Sequence, residues 1–113
     1  MHLKQQTPGV VYALGCTECE RVYIGETRRT AEQRVKEHNA HVKHDRQEQS
    51  AVAKHVIEID HRMHWQPHII TKEADRLKRR INEAIYIHRV ENGKGTMNED
   101  RGLELSKLWL DLV

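Results

Sequence analysis

Phenylalanine is absent from this 113-residue sequence, and proline and cysteine each occur only twice. Hydrophobic residues make up 37% of the chain and charged residues 32%, so few apolar side chains are available for burial. A chain of this length and composition predicts a single domain, residues 1–113, with one modest core. Helix caps, tight turns or a bound metal then matter more to stability than they would in a larger domain.

The sequence also lacks a long apolar run. The first residues, Met1 to Gln6, contain no hydrophobic segment of a signal peptide, and no stretch reaches the ~20 apolar residues that a membrane helix needs. We therefore expect an intracellular protein. In a reducing compartment, Cys16 and Cys19 are expected to be free thiols or metal ligands and not a disulfide.

Charge gives a weaker signal. The net charge of +2 indicates no particular partner, but basic residues occur in two clusters. Their members are Arg28, Arg29 and Lys36 in the first cluster, and Arg76, Lys78, Arg79 and Arg80 in the second. Such clusters suit a DNA phosphate backbone, and Arg28, Arg29 and Lys36 are the predicted DNA-binding residues. A solvated helix surface is the commoner explanation when charge is the only signal.

The first half of the chain predicts a hairpin followed by a helix. The apolar run at 10–14 and a second run at 21–25 flank a turn-like segment, which favours an antiparallel hairpin. Thr30 with Gln33 after it predicts a capping box, and hence a helix that continues to about His44.

The second half predicts further helices and one more strand. Ser50 predicts the cap of a helix over 51–59, and a third strand is expected within 65–72. A long helix is expected over 75–91, and the apolar residues of 103–110 predict a short final helix. The order β-β-α-α-β-α-α indicates an α+β domain with a small three-stranded antiparallel sheet flanked by helices.

Several polar residues are candidates for a site. Arg34 and His38 are spaced i, i+4 and project from one face of the first helix. Glu83 falls on the border of the apolar face of the long helix. The residues assigned to that face are Leu77, Ile81, Ala84, Ile85 and His88, with Ile87 next to Glu83. Tyr12 and Tyr23 occupy matching places in the hairpin. Each feature alone is typical of an ordinary core or surface residue.

Taken together, these residues resemble the GIY-YIG endonuclease domain, a family that includes homing, restriction and excision-repair nucleases. The resemblance covers about 9–109. The motifs that carry it are Val10-Val11-Tyr12, Tyr23-Ile24-Gly25, Arg34-x-x-x-His38, Glu83 and Asn98. The first tripeptide keeps only its tyrosine, because the glycine stands earlier, at Gly9. The resemblance implies a GIY-YIG-like fold and metal-dependent cleavage of DNA.

The same resemblance implies roles for the side chains. Tyr12 would act as the general base and Tyr23 would position water or phosphate, while Asn98 would orient the site or the substrate. His38 would relay a proton or bind phosphate. A free tyrosine has a pKa near ~10, so the base role requires a neighbouring cation that lowers it.

The chemistry of phosphodiester hydrolysis explains two further residues. The carboxylate of Glu83 can hold Mg²⁺ or Mn²⁺, with water and phosphate completing the coordination. The guanidinium of Arg34 offers a planar pair of donors to the phosphate.

Cys16 and Cys19 form a C-x-x-C half-site for zinc, and histidines must supply the other half. His55 and His61 are the leading pair, although four other histidines compete with them: His41, His44, His64 and His68. A turn with two free thiols is the alternative to a metal site. A zinc ion here would have a structural role, because it would tie the hairpin to the second helix.

A closer resemblance is to the endonuclease of Penelope-like retroelements. It rests on Cys16-x-x-Cys19, Tyr23 to Thr27, Ser50 to His55, Asn82 to Ile85, and Thr96 to Gly102 with Leu105-Ser106 and Trp109. It implies a zinc site formed by Cys16, Cys19, His55 and His61. It also implies service in retroelement integration in the nucleus, alongside a reverse transcriptase.

Three other functions compete with this one. The first is a catalytically inert, zinc-stapled module that binds nucleic acid, and the second is a purely structural zinc domain. The complete set of candidate catalytic residues speaks against the first, and the basic clusters speak against the second. The third is a GIY-YIG nuclease for repair or branched DNA, which the residues do not separate from a retroelement enzyme.

Overall fold

A computed structural model describes residues 6–93 and 95–99. Its elements are β1 (Pro8–Gly15), β2 (Val22–Thr30), α1 (Ala31–Lys43), a 3-10 turn (Gln47–Gln49), α2 (Ala51–Ile59), β3 (His68–Lys72) and α3 (Arg76–Gly93). The predicted order is confirmed up to α3, whereas the expected final helix at 103–110 lies outside the described residues. None of the helices within the described part has the length and apolar content that crossing a bilayer requires.

The three strands form one antiparallel sheet in the order β2-β1-β3, as the α+β prediction required. β1 lies in the middle, and Val10, Val11 and Tyr12 are fully buried because both of its faces are covered. This explains why the strand is continuously apolar instead of alternating. β2 continues to Thr30, beyond the predicted end at 25, because its polar second half still pairs with the start of β1.

Helices cover the two faces of the sheet separately. Tyr12 and Leu14 pack in one cluster with Val35 of α1 and Val52 of α2. Val11 and Ile24 pack in the other cluster, with Ile87 of α3. The side chains of Tyr12 and Leu14 therefore point toward α1 and α2, whereas Val11 points toward α3 on the opposite face.

The predicted helix caps are confirmed. The Thr30 side chain accepts a hydrogen bond from the backbone of Gln33, whose own side chain returns to the Thr30 backbone. The Ser50 side chain accepts from the backbone N–H of Ala53 and starts α2. Capping of this kind satisfies donors that the first helical turn leaves free.

The apolar face assigned to α3 is partly wrong. Ala84 and Ile87 are buried, but Leu77 is 52% exposed and His88 is exposed. Arg79 is 4% exposed, because it forms an ion pair with Glu26 of β2 and donates to two backbone carbonyls. Arg79 therefore does not belong to a free basic surface, which corrects its place in the second cluster.

The structure explains why the glycine of the first tripeptide stands one residue early, at Gly9. Gly9 has a φ of +69°, in the left-handed region, at an irregularity in the pairing of β1 with β2. A Cβ at this position would lie 3.1 Å from the carbonyl oxygen of Glu73, and the Glu73 N–H donates to the Gly9 carbonyl. Glycine is thus needed one step earlier than in the GIY tripeptide.

Candidate active site and metal centre

Tyr12 and Tyr23 meet on the face of the sheet that α1 and α2 cover. Leu14 pairs with Tyr23 and Tyr12 pairs with Gly25, so the two tyrosines are diagonal neighbours, with ring centroids 6.2 Å apart. A Cβ on Gly25 would lie 2.6 Å from Cζ and Oη of Tyr12 and 2.8 Å from Cε2 of Tyr23. The two phenol rings therefore occupy the space that a side chain at this position would need.

Helix α1 brings His38 and Arg34 to the tyrosines. His38 is 1% exposed, and its Nε2 lies 3.1 Å from the hydroxyl of Tyr12. Its ring meets that of Tyr23 edge-on, with centroids 5.0 Å apart. Arg34 is one helical turn earlier and half-buried, as the i, i+4 spacing predicts.

A cavity of about 230 Å³ opens where α1, α2 and α3 approach β2. Its lining combines predicted site residues with others: Tyr23, Arg34, His38, Glu83 and Asn98, together with Glu48, Gln49, Ser50, Ala51 and Glu99. Tyr12 has no exposed surface and lies behind the wall, in contact with His38. The cavity thus brings a phenol, a guanidinium, an imidazole and a carboxylate to one place.

Asn98 is tied to the sheet. Its amide accepts from the N–H of Ile24 at 2.9 Å and donates to the carbonyl of Ile24 at 2.7 Å. Its neighbour Met97 donates to the carbonyl of Val22. The segment around Asn98 therefore pairs with the outer edge of β2, on both sides of Tyr23, and fixes the strand that carries this phenol.

Burial decides the protonation of the tyrosine and histidine pair. Burial raises the pKa of Tyr12 well above its ordinary value, and Tyr23 adds to this effect, while the nearby charge of Arg34 only partly opposes it. The expected cation is present, but burial raises the pKa of Tyr12 by more than Arg34 lowers it. Burial also lowers the pKa of His38 to about 4, with smaller contributions from Arg34 and His41. At neutral pH, Tyr12 keeps its proton and His38 is uncharged.

Glu37 is a partner of the site's Arg34 that the sequence did not predict. Its carboxylate accepts hydrogen bonds from both Arg34 and Arg29. The i, i+3 spacing of Arg34 and Glu37 is the signal that could have identified this pair. Ser50 was identified only as a cap, and no sequence signal placed Glu48 or Gln49 at the cavity.

The predicted DNA-binding residues differ in their surroundings. Arg28 is exposed, and Arg29 is held by Glu37. The Lys36 side chain is 77% exposed and lies 3.6 Å from Glu32. Exposed pairs of this kind contribute little to stability, so these basic groups exchange partners at low cost.

The second cluster of chemical groups consists of Cys16, Cys19, His55 and His61. Their ligand atoms all lie within 4.8 Å of one another. Three separations are 3.2 Å for His61 Nδ1 to His55 Nε2, 3.4 Å for Cys16 Sγ to His61 Nδ1, and 3.6 Å for Cys19 Sγ to His55 Nε2. Ligands of a tetrahedral zinc ion are roughly 3.3–3.8 Å apart, as the Zn–S and Zn–N bond lengths dictate. Donor types and spacing fit zinc.

Backbone pairing brings the two halves of this cluster together. Asp60 has a φ of +61° and ends α2, so the chain turns directly after Ile59. The following segment pairs with the hairpin, where Cys16 bridges to Met63 and Thr17 bonds to Arg62. His61 is thereby placed beside Cys16.

Fold and site together define a small α+β domain whose cavity suits the binding and hydrolysis of a phosphate ester. The family profile described as the GIY-YIG catalytic domain matches residues 8–92. The chain therefore belongs to the GIY-YIG family, which is a family of nucleases. Comparisons with curated proteins and with solved structures each found no match.

The packing of both phenols on Gly25 predicts the effect of one methyl group. We expect Gly25→Ala to destabilise the fold by about 1–3 kcal/mol, because the rings of Tyr12 and Tyr23 must move apart. Gly15→Ala is the matched control in β1, where the nearest atom to an added Cβ is His64 Cδ2, at 4.0 Å. Urea unfolding of both variants measures the difference. Equal stabilities would contradict the packing.

Proposed function

We propose that this protein is a metal-dependent endonuclease that hydrolyses phosphodiester bonds of DNA in the cavity beside β2. The observation that carries the proposal is the shared lining of that cavity by Glu83, Arg34, His38 and Tyr23, contributed by three different elements. Membership of a nuclease family supports the same reaction. A purely structural domain has no need for a guanidinium and a carboxylate in one cavity.

Glu83 is the residue proposed to hold Mg²⁺ or Mn²⁺. Among the described residues, the four Cys and His side chains form the one group of three or more metal ligands. Glu83 would thus act as a single carboxylate, with water and the DNA phosphate completing the coordination, an arrangement that Mg²⁺ accepts in proteins. When bound, the ion supplies charge neutralisation and a more acidic water.

The protein side chains carry the remaining steps. Arg34 binds the scissile phosphate through its planar donors, and Tyr23 positions the phosphate or the attacking water. Tyr12 accepts a proton from the water as its own proton passes to the Nε2 of His38. This exchange needs no free phenolate, which agrees with the raised pKa of Tyr12 and the uncharged His38. Asn98 orients the strand beside Tyr23.

We propose that DNA approaches along the start of α1. Arg28, Arg29 and Lys36 are the basic residues that would contact neighbouring phosphates. Arg29 pairs with Glu37 and Lys36 pairs with Glu32. Phosphate would replace these carboxylates because it also carries negative charge. Contacts to the phosphate backbone carry no information on the bases, so we expect this binding to be independent of sequence.

The cluster of Cys16, Cys19, His55 and His61 is proposed to bind a structural zinc ion. All four positions carry protein ligands, which is the closed arrangement of structural sites and leaves no open place for a substrate. The ion would join the hairpin to the end of α2. A domain with so few apolar residues gains stability from such a link.

We further propose that residues 1–113 form one domain of the Penelope-like retroelement type, acting in the nucleus together with a reverse transcriptase. The motifs Cys16-x-x-Cys19 and Ser50 to His55 support this subgroup, because they supply three of the four proposed zinc ligands. In this role the enzyme nicks DNA and leaves a 3′-hydroxyl that primes synthesis. A nuclease for repair or branched DNA is the competing function.

Replacing the proposed metal ligand tests the reaction. Glu83→Gln is expected to reduce nicking of supercoiled plasmid in Mg²⁺ by about 100-fold or more, because the neutral amide cannot hold the cation. The control is Glu58→Gln, an exposed carboxylate on α2 that does not line this cavity. Agarose gels measure the rates, and circular dichroism checks the fold. Undiminished nicking by the folded Glu83 variant would refute the proposal.

Metal content tests the second site. Purified protein is expected to contain about one zinc ion per chain. His61→Ala should lose it and become less stable by about 2 kcal/mol or more, which is a fall of roughly 10 °C in Tm for a domain of this size. His64→Ala is the matched control, since this exposed histidine lies on the same segment. Elemental analysis and thermal unfolding decide it: full zinc in the His61 variant argues against the site.

The preferred substrate separates the two proposed roles, and the ends of the product test the hydrolysis. We expect nicked plasmid DNA to carry a 3′-hydroxyl that a polymerase extends, since hydrolysis that releases the 3′ oxygen leaves phosphate on the 5′ side. Supercoiled, branched and single-stranded substrates of equal length should be compared in Mg²⁺ and in EDTA. A branched substrate cut more than about 10-fold faster would favour the repair role.

A further inference from the structure

The ring of His38 is held from both sides. Its Nε2 lies 3.1 Å from the hydroxyl of Tyr12, and its Nδ1 lies 2.7 Å from Oγ of Ser50. Both contacts are buried, since His38 is 1% exposed, Tyr12 fully buried and Ser50 9% exposed. Three side chains from β1, α1 and the start of α2 thus form a continuous hydrogen-bonded chain.

The contacts decide which ring nitrogen carries the proton. A buried phenol needs an acceptor for its proton, and Nε2 of His38 is the acceptor that Tyr12 contacts. A neutral histidine whose Nε2 accepts must carry its hydrogen on Nδ1. That hydrogen points to Ser50 Oγ at 2.7 Å, and the serine oxygen accepts it.

Ser50 can receive this bond because its backbone fixes it. The same oxygen caps α2 by accepting from the N–H of Ala53 at 3.3 Å. A hydroxyl oxygen accepts two hydrogen bonds, so the cap and the contact with His38 are compatible. The cap therefore holds the serine at the position that the imidazole requires.

We propose that Ser50 is a positioning residue: it fixes the Nδ1–H form of His38, so that Nε2 is held ready to accept the proton of Tyr12. This inference deepens the proposed nuclease function and rests on it for its catalytic meaning. The proton balance is simple. Water gives a proton to the Tyr12 oxygen, the phenol proton moves to Nε2, and His38 becomes an imidazolium that Ser50 continues to accept from. In a catalytic triad, the third residue likewise holds the histidine in the tautomer that can accept a proton.

Other ionisable groups around His38 affect its titration. Those that face it or share its cavity are Tyr12 and Tyr23 from the sheet, Arg34, Glu37 and His41 from α1, and Glu48, Glu83 and Glu99 across the opening. Burial, Arg34 and His41 together outweigh Glu37 and keep the ring neutral. A negative charge introduced at Ser50 would raise the pKa of His38 and so oppose the effects of burial, Arg34 and His41.

Three substitutions at Ser50 separate positioning from helix capping. Ser50→Ala removes both bonds and should lower kcat by roughly 10- to 100-fold with little change in KM. Ser50→Thr keeps the hydroxyl and should restore most of the rate. Ser50→Asp keeps a capping oxygen but adds a carboxylate beside Nδ1. The charge raises the pKa of His38, so the acid limb of the pH–rate profile should move to higher pH.

Thr30→Ala is the control for a lost cap, because Thr30 caps α1 and its side chain contacts Gln33 and not His38. This variant should lose stability but keep the wild-type pH profile. If Ser50→Ala had the rate and profile of Thr30→Ala, or if Ser50→Asp left the acid limb in place, Ser50 would be a cap alone and the proposal would be overturned.

A spectroscopic measurement tests the tautomer without any activity. Long-range ¹H–¹⁵N NMR correlations of the full chain should show His38 protonated at Nδ1 in the wild type and in Thr30→Ala. Ser50→Ala should show a mixture of both tautomers. Should the wild type prove inactive on DNA, the nuclease proposal fails while this result still stands. A wild-type ring protonated at Nε2 would overturn the role of Ser50 even in an active enzyme.

Discussion

The contact of Tyr12 with Gly25 across the β1–β2 pair is the constraint on which the site depends. Because no side chain separates them, the rings of Tyr12 and Tyr23 lie 6.2 Å apart, and His38 packs against both. The hydroxyl of Tyr12 then lies 3.1 Å from Nε2 of His38. Any residue larger than glycine would require the two phenol rings to move.

Helix α2 connects this site to the Cys and His cluster. Ser50 begins the helix and contacts His38, whereas His55 lies further along the same helix and belongs to the cluster. A metal bound there would fix the helix relative to the hairpin through Cys16 and Cys19. The orientation of the imidazole would then depend also on metal-binding residues that do not themselves contact the substrate.

Local signals in the sequence predicted much of the fold, and long-range contacts explain what they missed. Thr30 and Ser50 marked their helices because a cap depends on neighbouring residues alone. The buried face of α3 was partly wrong because Arg79 is buried by an ion pair with Glu26, a partner far away in the sequence. The bond between Ser50 and His38 was hidden for the same reason: spacing along the chain predicts a shared face of a helix, not a contact between elements.

Electrostatics explain how the candidate site can be stable before DNA binds. Glu37 compensates the charges of Arg29 and Arg34, and these two guanidinium groups hold the pKa of Glu37 below its ordinary value against partial burial. Deeper in the wall, burial keeps Tyr12 protonated and His38 neutral, so the proton acceptors carry no charge. In the proposed mechanism, phosphate would replace a carboxylate among the charged groups at the rim, and proton exchange would take place among the neutral groups of the interior. Burial would therefore separate substrate binding from proton transfer in that mechanism, because only the rim groups are solvated well enough to stay ionised.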